Sequence, residues 1–439
     1  LGDTFFGKSD TEVVLKAYRR WGCHCLNRFN GMFSFAIYDA REGHGDAHLF
    51  LARDRVGKKP LYFSNIRGKF SFSSELKGLA RNSLEIDRNA LSLYLGMGYI
   101  PGAYSFAKGI QKLPPASWAK WNLRSGAIQR QTYWKLPEGP SPETKVNEGE
   151  LLEELESLLL DAVKLRMISD VPLGVFLSGG VDSSLVVAAA AKVSSTPVKT
   201  FTITFPGHGS FDESASAKQV AQFFGTDHHF LEGPALTSET LKEWSAFVDE
   251  PLADSSVLPT FWVSRLAKKY VTVALGGDGG DELFAGYNHY SLIARYCRML
   301  KCVPGALLAL LSRSAAVLPS GLRGRSLLLG MREGPENFQV WNMPYFDRPF
   351  LQTFGKNLQL EITSEDYLRE HMPKRGDLIS RMTRLDFATY LPDDIMAKVD
   401  RAGMACSLEC RSPWLDYRLV EFAFGKVPSI LKICGGRTR

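Results

Sequence analysis

Apolar and polar positions alternate over much of the first 75 residues, a pattern typical of half-buried β-strands. Residues 32–38, 48–53 and 69–73 are rich in Phe, Leu, Ile and Tyr, and turns containing Gly and Asp separate them. This spacing predicts a meander with short turns over residues 31–75. A helix over residues 88–95 and strand-like segments that end near Tyr133 and Trp134 are expected to follow.

Periodicity changes after residue 150. Leu151, Leu155, Leu159 and Val163 recur at helical spacing, with Glu residues on the opposite face. Strand-like runs at 171–176, 198–205 and 270–275 then alternate with helical segments at 185–191 and 213–224, the second of which ends before Gly225. Strands that alternate with helices predict a doubly wound parallel sheet, and the pattern beyond residue 290 is mostly helical.

A segment rich in Pro and charge separates these two patterns, as exposed linkers do. We therefore predict a domain over residues 1–136, a linker over 137–148 and a second domain over 149–439. A chain of 439 residues is also too long for one ordinary core.

Composition fits a soluble enzyme, with 45% hydrophobic and 23% charged residues. The longest apolar run, 302–311, is too short to span a bilayer, and a net charge of +6 without a Lys/Arg block gives little reason to expect nucleic acid. Seven irregularly spaced cysteines indicate a reducing compartment, so we expect a cytoplasmic protein. Cys23 and Cys25 lack a second Cys/His pair at zinc-site spacing.

The segment from Leu177 to Ser184, LSGGVDSS, joins the apolar run 171–176 to an Ala-rich helix. A Gly/Ser turn between a strand and a helix presents backbone N–H groups and a helix N-terminus to an anion. A carboxylate beside a phosphate is repulsive unless a divalent cation lies between them, so the loop predicts a nucleotide with Mg²⁺. The candidate phosphate-binding residues are Ser178, Gly179, Gly180, Asp182, Ser183 and Ser184. The bland alternative is an ordinary turn.

A second Gly-rich acidic loop, GGDGGDELFAGY, follows the strand-like run 270–275 and spans residues 276–287. Ligands bind at the carboxyl ends of strands in open α/β sheets, so the two loops would share one crevice if their strands were neighbours. Asp182 and Asp281 are then candidate metal ligands, and Asp278 is a candidate catalytic residue that contacts the substrate or ATP. Any one of these Asp residues alone could instead cap a helix.

SGGVDSS resembles the PP-loop of ATP pyrophosphatases and lacks the Lys of a P-loop. Together with the second loop and the strings VDRAGM (399–404) and SLECRSPWLD (407–416), it resembles the synthetase domain of glutamine-dependent asparagine synthetases. The resemblance implies that Asp182 and Asp281 bind Mg²⁺ and pyrophosphate. It also implies that the backbone at Leu177, Ile203, Gly276 and Gly277 holds the nucleotide. Asp278 stands where the family often has Glu.

The strings SDTEVV (9–14), RFNGMFSFAIYD (28–39) and ARDRVGKKPLY (52–62) are similar to the later part of a class II glutamine amidotransferase domain. The resemblance implies that Asp10 binds the amino group of glutamine. Arg53, Asp54, Arg55 and Lys59 are better explained as a structural ion-pair network. His228 and His229 are interpreted as structural, because adjacent strand residues face opposite sides.

The sequence begins at Leu1 and shows neither the N-terminal Cys nucleophile of that amidotransferase domain nor the family's C-terminal catalytic Lys. We therefore expect a fragment, cut at both ends, without glutaminase activity of its own. Lys398 lies near the expected Lys in the pattern but is not assigned its role.

These resemblances imply an α/β protein in which an α+β amidotransferase remnant precedes a doubly wound ATP pyrophosphatase domain. The expected reaction is ATP-dependent amidation of a carboxylate through an acyl-adenylate, with aspartate as acceptor, ammonia from glutamine, and AMP and pyrophosphate as products. Ser255 stands where better-known asparagine synthetases have Arg, so another carboxylate, such as that of a bacterial surface sugar, stays open. A tRNA-modifying ATP pyrophosphatase and a non-catalytic scaffold are further alternatives, and a homodimer is compatible with the sequence.

Overall fold

A computed structural model describes the chain except for residues 1, 3, 42, 44–46, 67, 80–84, 142–143, 205–212, 234–236, 320–321, 323, 332–345, 347–350, 352–359, 435–436 and 439. The chain divides into two compact units. Unit 1 comprises Leu1–Glu85 and Gly102–Leu136, and unit 2 comprises Ile86–Pro101 and Pro137–Arg439.

In the described residues of unit 1, two antiparallel sheets accompany one long helix, α1 (Asp10–Trp21). The strands are β1 (Ser34–Asp39), β2 (His48–Arg53), β3 (Tyr62–Ile66), β4 (Lys69–Ser73), β5 (Ile110–Lys112), β6 (Ser117–Asn122) and β7 (Ile128–Thr132). The sheet orders are β1-β2-β6-β7 and β4-β3-β5.

Alternation along β2 explains how this unit buries both faces of its larger sheet. Phe50 and Ala52 pack in one apolar cluster with Tyr18 of α1, while Leu51 packs in another with Phe63 of β3. The meander expected for residues 31–75 is therefore split: β1 and β2 form one hairpin, β3 and β4 another, and each hairpin joins a different sheet. Pairing of β2 with the distant β6 causes this division.

Unit 2 contains a five-stranded sheet of order β10-β9-β8-β11-β12, in which every neighbouring pair is parallel. The strands are β8 (Leu173–Phe176), β9 (Lys199–Thr204), β10 (Asp227–Glu232), β11 (Val273–Leu275) and β12 (Glu409–Arg411). A two-stranded hairpin, β13 (Ile433–Cys434) and β14 (Arg437–Thr438), lies near the end of the chain. The prediction of a doubly wound α/β sheet is confirmed.

Unit 2 also contains helices, which form most of the described residues after residue 288. They are α2 (Arg88–Met97), α3 (Glu148–Arg166), α4 (Val181–Val193), α5 (Ser214–Phe224), α6 (Ser238–Phe247), α7 (Val257–Ala267), α8 (Gly280–Phe284), α9 (Asn288–Leu300), α10 (Gly305–Ala316), α11 (Arg325–Gly330), α12 (Ser364–His371), α13 (Leu378–Ala388), α14 (Met396–Ala405), α15 (Tyr417–Gly425) and α16 (Ser429–Lys432). A π-helical turn, Leu391–Ile395, precedes α14. Gly225 ends α5 in the left-handed conformation, as its position in the sequence predicts.

Candidate functional site

The two Gly-rich acidic loops lie at the point where the strand order of the unit 2 sheet reverses. β8 is the first strand of this sheet; the chain then adds β9 and β10 on one side, and β11 and β12 on the other. β8 and β11 are hydrogen-bonded neighbours, so the condition under which the two loops would share one crevice is met. Such switch points form the ligand crevice of open α/β sheets.

Glycines allow the two loops to touch. A Cβ added at Gly280 would lie 2.3 Å from the Asp182 Cγ, and one added at Gly277 would lie 2.8 Å from the Ser183 amide nitrogen. A side chain at either position would collide with the first loop. Trp414, which is fully buried, donates a hydrogen bond from Nε1 to the Asp182 carbonyl over 3.3 Å and so helps to hold the first loop in place.

Three carboxyl groups lie close together where the two loops meet. Burial and the nearby Asp281 and Asp278 raise the pKa of the Asp182 carboxyl to about 7. Burial also raises the pKa of Asp281, and Asp278 adds to this effect. A divalent cation would offset both the burial and the mutual repulsion, so the residues fit Mg²⁺.

Within the described part of the chain, however, no group of three or more His, Cys, Asp or Glu side chains is placed to hold a metal. Mg²⁺ beside a nucleotide commonly takes one or two carboxylates and completes its coordination with phosphate oxygens and water, so the pair Asp182 and Asp281 is compatible with that ion.

The serines of the first loop are engaged with the loop itself. Ser183 Oγ accepts from the Ser178 amide over 3.2 Å and lies 3.0 Å from Ser178 Oγ, while Ser184 Oγ donates to the Gly180 carbonyl over 2.7 Å. Gly179 has φ +86°, and an added Cβ would lie 2.9 Å from the Ala217 nitrogen. The hydroxyl groups thus shape the loop, and the first amides of α4 remain as the anion donors that a helix N-terminus provides.

The other predicted nucleotide contacts lie around this crevice. Leu177 donates its amide to the Phe201 carbonyl over 2.9 Å, the Gly276 amide donates to the Arg411 carbonyl over 2.8 Å, and Ile203 lies in β9. The Asp278 carboxylate folds over Gly276, where an added Cβ would lie 2.5 Å from Asp278 Oδ2. β8, β9 and β11 are parallel, so Leu177, Ile203 and Gly276 all lie toward the carboxyl ends of the strands, where the two loops begin.

A cavity of about 430 Å³ lies in unit 2, and sequence reasoning found only part of it. Its lining includes Asp254 and Ser255, which precede α7, and Asp394 from the π-helical turn. The remaining lining residues are mostly aromatic or aliphatic: Met97, Tyr99, Tyr287, His289, Leu292, Ile293, Tyr296, Leu368 and Tyr390. The adjacent acids after Pro392 were the only local signal for Asp394.

Lys398 forms an ion pair with Asp254 beside this cavity. Its buried Nζ lies 2.6 Å from Asp254 Oδ2 and 2.7 Å from Ser256 Oγ. Asp254 Oδ1 also accepts from the amide and hydroxyl of Ser256, each over 2.7 Å. These contacts fix the loop that carries Ser255.

In unit 1, Asp54 has a structural role, as expected, but it acts through backbone hydrogen bonds. Its buried carboxylate accepts from the amides of Phe33, Val56, Lys58 and Lys59 at 3.0–3.2 Å. The neighbouring Arg53 donates to the carbonyls of three residues, Gly57, Lys59 and Leu113, each over 2.8 Å.

Asp10, the predicted glutamine-binding residue, is exposed in the first turn of α1. Burial, together with Cys23, raises the pKa of Cys25 to about 12, which keeps this thiol protonated. His228 Nδ1 hydrogen-bonds to Thr200 Oγ1 over 2.8 Å, and His229 Nε2 lies 3.3 Å from Asp227. The two histidines thus have separate partners.

Comparisons with known proteins agree with the geometry of both units. An asparagine synthase family model matches residues 154–439, and a glutamine amidotransferase domain model matches residues 1–134. The chain therefore belongs to the asparagine synthetase family, which makes it an enzyme of the ligase class.

Relatives of the chain come from bacteria, archaea and fungi. The glutamine-hydrolyzing asparagine synthetase 1 of Bacillus subtilis (strain 168) is 35% identical over 448 aligned positions, which cover all of this chain and 68% of that protein. A putative asparagine synthetase of Mycobacterium bovis is 31% identical over the whole chain and 67% of its own length. A second putative asparagine synthetase, from Methanocaldococcus jannaschii, is 42% identical over 64% of this chain and 54% of that protein.

No helix among the described residues is both long enough and apolar enough to cross a bilayer.

Proposed function

We propose that unit 2 catalyses the ATP-dependent amidation of a carboxylate. The acceptor carboxylate attacks the α-phosphorus of ATP, which forms an acyl-adenylate and releases pyrophosphate. Ammonia then attacks the acyl carbon and displaces AMP. Contact between the two acidic loops at the switch point supports this proposal most directly, because it brings an anion-binding helix N-terminus beside paired carboxylates.

Each residue has a defined part in this scheme. The amides at the start of α4 bind the β- and γ-phosphates, and Gly277 and Gly280 keep the second loop close to them. Asp182 and Asp281 would hold Mg²⁺, which supplies positive charge to the leaving pyrophosphate when it is bound. Asp278 lies on the same loop and is the residue that we place against the reacting groups. The backbone at Leu177, Ile203 and Gly276 borders the nucleotide.

Ammonia is proposed to come from glutamine in an intact amidotransferase domain, in which Asp10 of unit 1 would bind the glutamine amino group as a carboxylate partner for a cation. Ammonium salts replace this source in an assay of unit 2. A homodimer and a cytoplasmic location stay predictions of the sequence.

ATP binding measured by calorimetry with Mg²⁺ tests the site. Asp182→Ala should weaken binding at least tenfold, about 1.4 kcal/mol, because one Mg²⁺ ligand is lost. Asp170→Ala removes an exposed carboxylate from the opposite edge of the same sheet and should bind ATP like the unchanged chain. If the unchanged chain does not bind ATP, the alternative that it is a non-catalytic scaffold would be favoured.

Pyrophosphate release with ATP, Mg²⁺, ammonium and aspartate tests the reaction. Aspartate is the first acceptor to try because the relatives are named as asparagine synthetases. A second candidate is another carboxylate, because Ser255 rather than a cation lines the cavity and Lys398 is already paired with Asp254. Release with a different carboxylate, and none with aspartate, would remove the asparagine assignment.

A further inference from the structure

The aromatic cavity lies directly beside the second acidic loop. Tyr287, which lines the cavity, donates a 2.7 Å hydrogen bond to Glu282 in α8. His289 also lines the cavity and is close enough to Asp281 to lower the pKa of that carboxyl against the effect of burial. A molecule in the cavity would therefore lie next to the proposed nucleotide site.

The described lining of the cavity has two carboxyl groups, and only one of them is paired with a lysine. Asp254 is neutralised by Lys398, and both of its oxygens accept hydrogen bonds from Lys398 or Ser256. Asp394 is a second carboxyl of the same cavity, and Lys398 is already committed to Asp254 and Ser256. Apart from His289, the described lining residues include no side chain that would balance the charge of an ionised Asp394.

One carboxyl oxygen of Asp394 lacks a partner. The residue is only 7% exposed, and its Oδ1 atom has no hydrogen-bond partner in the described structure. A buried carboxyl oxygen without a hydrogen bond costs free energy. A ligand that donates a hydrogen bond to this oxygen would remove that cost and so bind more tightly. The π-helical turn that carries Asp394 is an irregularity often found at functional sites.

Burial and the neighbouring Asp254 raise the pKa of Asp394 to about 8. A cation in the cavity would offset both effects and favour the charged carboxylate.

Tyrosine rings surround the same space. The ring of Tyr390 lies 6.0 Å from that of Tyr99 and 6.1 Å from that of Tyr287, centroid to centroid, and all three residues line the cavity. Aromatic faces attract a cation within about 6 Å. A buried carboxyl that has one unpaired oxygen and lies in a cavity lined by tyrosines suits an ammonium group.

We propose that Asp394 binds a protonated amino group of the acceptor, with the tyrosines around it. This rests on the proposed function and deepens it, because it restricts the acceptor to carboxylates that also carry an amine. Aspartate and other amino acids belong to this class, whereas succinate and uronic acids do not. Asp394 is thus a specificity residue for the acceptor.

Binding can be measured without turnover. The chain is saturated with Mg²⁺ and an ATP analogue whose α,β-bridging oxygen is a methylene, and three carboxylates are titrated into it by calorimetry. Aspartate, β-alanine and succinate form a matched set, because β-alanine lacks the second carboxylate of aspartate and succinate lacks its amine. We expect β-alanine and aspartate to bind at least tenfold more tightly than succinate.

Asp394→Asn should abolish this preference, because the amide keeps the size of the side chain and removes its charge. Asp170→Asn, the same change at the opposite edge of the sheet, should leave the preference intact. Equal binding of succinate and β-alanine by the unchanged chain, or an unaltered preference in Asp394→Asn, would overturn the proposal, and neither result needs a functional reaction.

Pyrophosphate release with the same acceptors then separates the two proposals. Selective binding of amines without release would retain the amine site and contradict the amidation reaction. Where release occurs, Asp394→Asn should raise KM for the amino carboxylate at least tenfold and change kcat less, because the side chain binds a remote group of the acceptor.

Discussion

Asp394 also affects stability, because its pKa is raised to about 8 in the folded chain from an ordinary value near 4. A carboxyl that holds its proton more tightly when folded stabilises the fold most at low pH, and this contribution is lost as the pH rises from about 4 to 8. Asp394→Asn cannot ionise and should escape that loss. Its free energy of unfolding should therefore rise relative to the unchanged chain between pH 5 and pH 9, by an amount on the order of a few kcal/mol.

Chemical unfolding at several pH values measures this difference. Asp170→Asn serves as the comparison, because that carboxylate is exposed. A difference that stays constant with pH would show that Asp394 is ionised throughout in the folded chain.

Individual residues also show where sequence patterns are informative. Asp182 and Asp281 lie in Gly-rich loops whose spacing from apolar runs places them at strand ends. Lys398 and Asp394 offer no such pattern, since their environment comes from Asp254, about 140 positions earlier in the chain. Long-range packing decides the partners of such residues, and one sequence does not record it.

At the scale of elements, the proposed nucleotide site depends on how closely two turns approach. Gly277→Ala would place a Cβ 2.8 Å from the backbone nitrogen of Ser183, which is held in the first turn of α4. The loops would have to separate, and we expect ATP binding to weaken at least tenfold while the fold is retained.

Gly305→Ala is the matched control for this change. A Cβ at Gly305 meets nothing within 4 Å, and the residue begins α10, where Ala is favourable. Undiminished ATP binding by Gly277→Ala would mean that the loops need not touch.

The elements whose positions could be predicted from the sequence are those marked by turn residues and apolar spacing close to their ends. The helix after Gly180, the stop at Gly225 and the strand at 48–53 depend on turn chemistry and apolar spacing within a few residues. The division of the N-terminal strands between two sheets was not foreseen, because β2 pairs with β6 more than 60 positions later. β11 is also shorter than the apolar run that predicted it.

At the scale of the whole molecule, residues 86–101 belong to unit 2 although unit 1 flanks them in the chain. α2 packs on α12 so closely that a Cβ at Gly96 would lie 2.2 Å from Ser364 Oγ and 2.5 Å from its Cβ. The Ala253 amide further donates to the Gly98 carbonyl over 2.8 Å. The segment thus stabilises unit 2.

Gly96→Ala should lower the free energy of unfolding of unit 2 by about 1–3 kcal/mol through overpacking. Adding Ser364→Gly removes the colliding atoms and should recover part of that loss, a coupling that a double-mutant cycle measures. Hydrogen exchange should accelerate in α2 and α12 and stay unchanged in α1. Faster exchange in α1 instead would assign the segment to unit 1.

The order of synthesis gives the cavity a further consequence. Its walls come from Met97 and Tyr99 near one end of unit 2 and from Tyr390 and Asp394 near the other, whereas both acidic loops are complete once Tyr287 has been made. Ribosomes add roughly 5–20 residues per second, so about 110 further residues require on the order of 6–20 s. During that interval a nascent chain already contains both nucleotide loops and has not yet acquired the residue that distinguishes one acceptor from another.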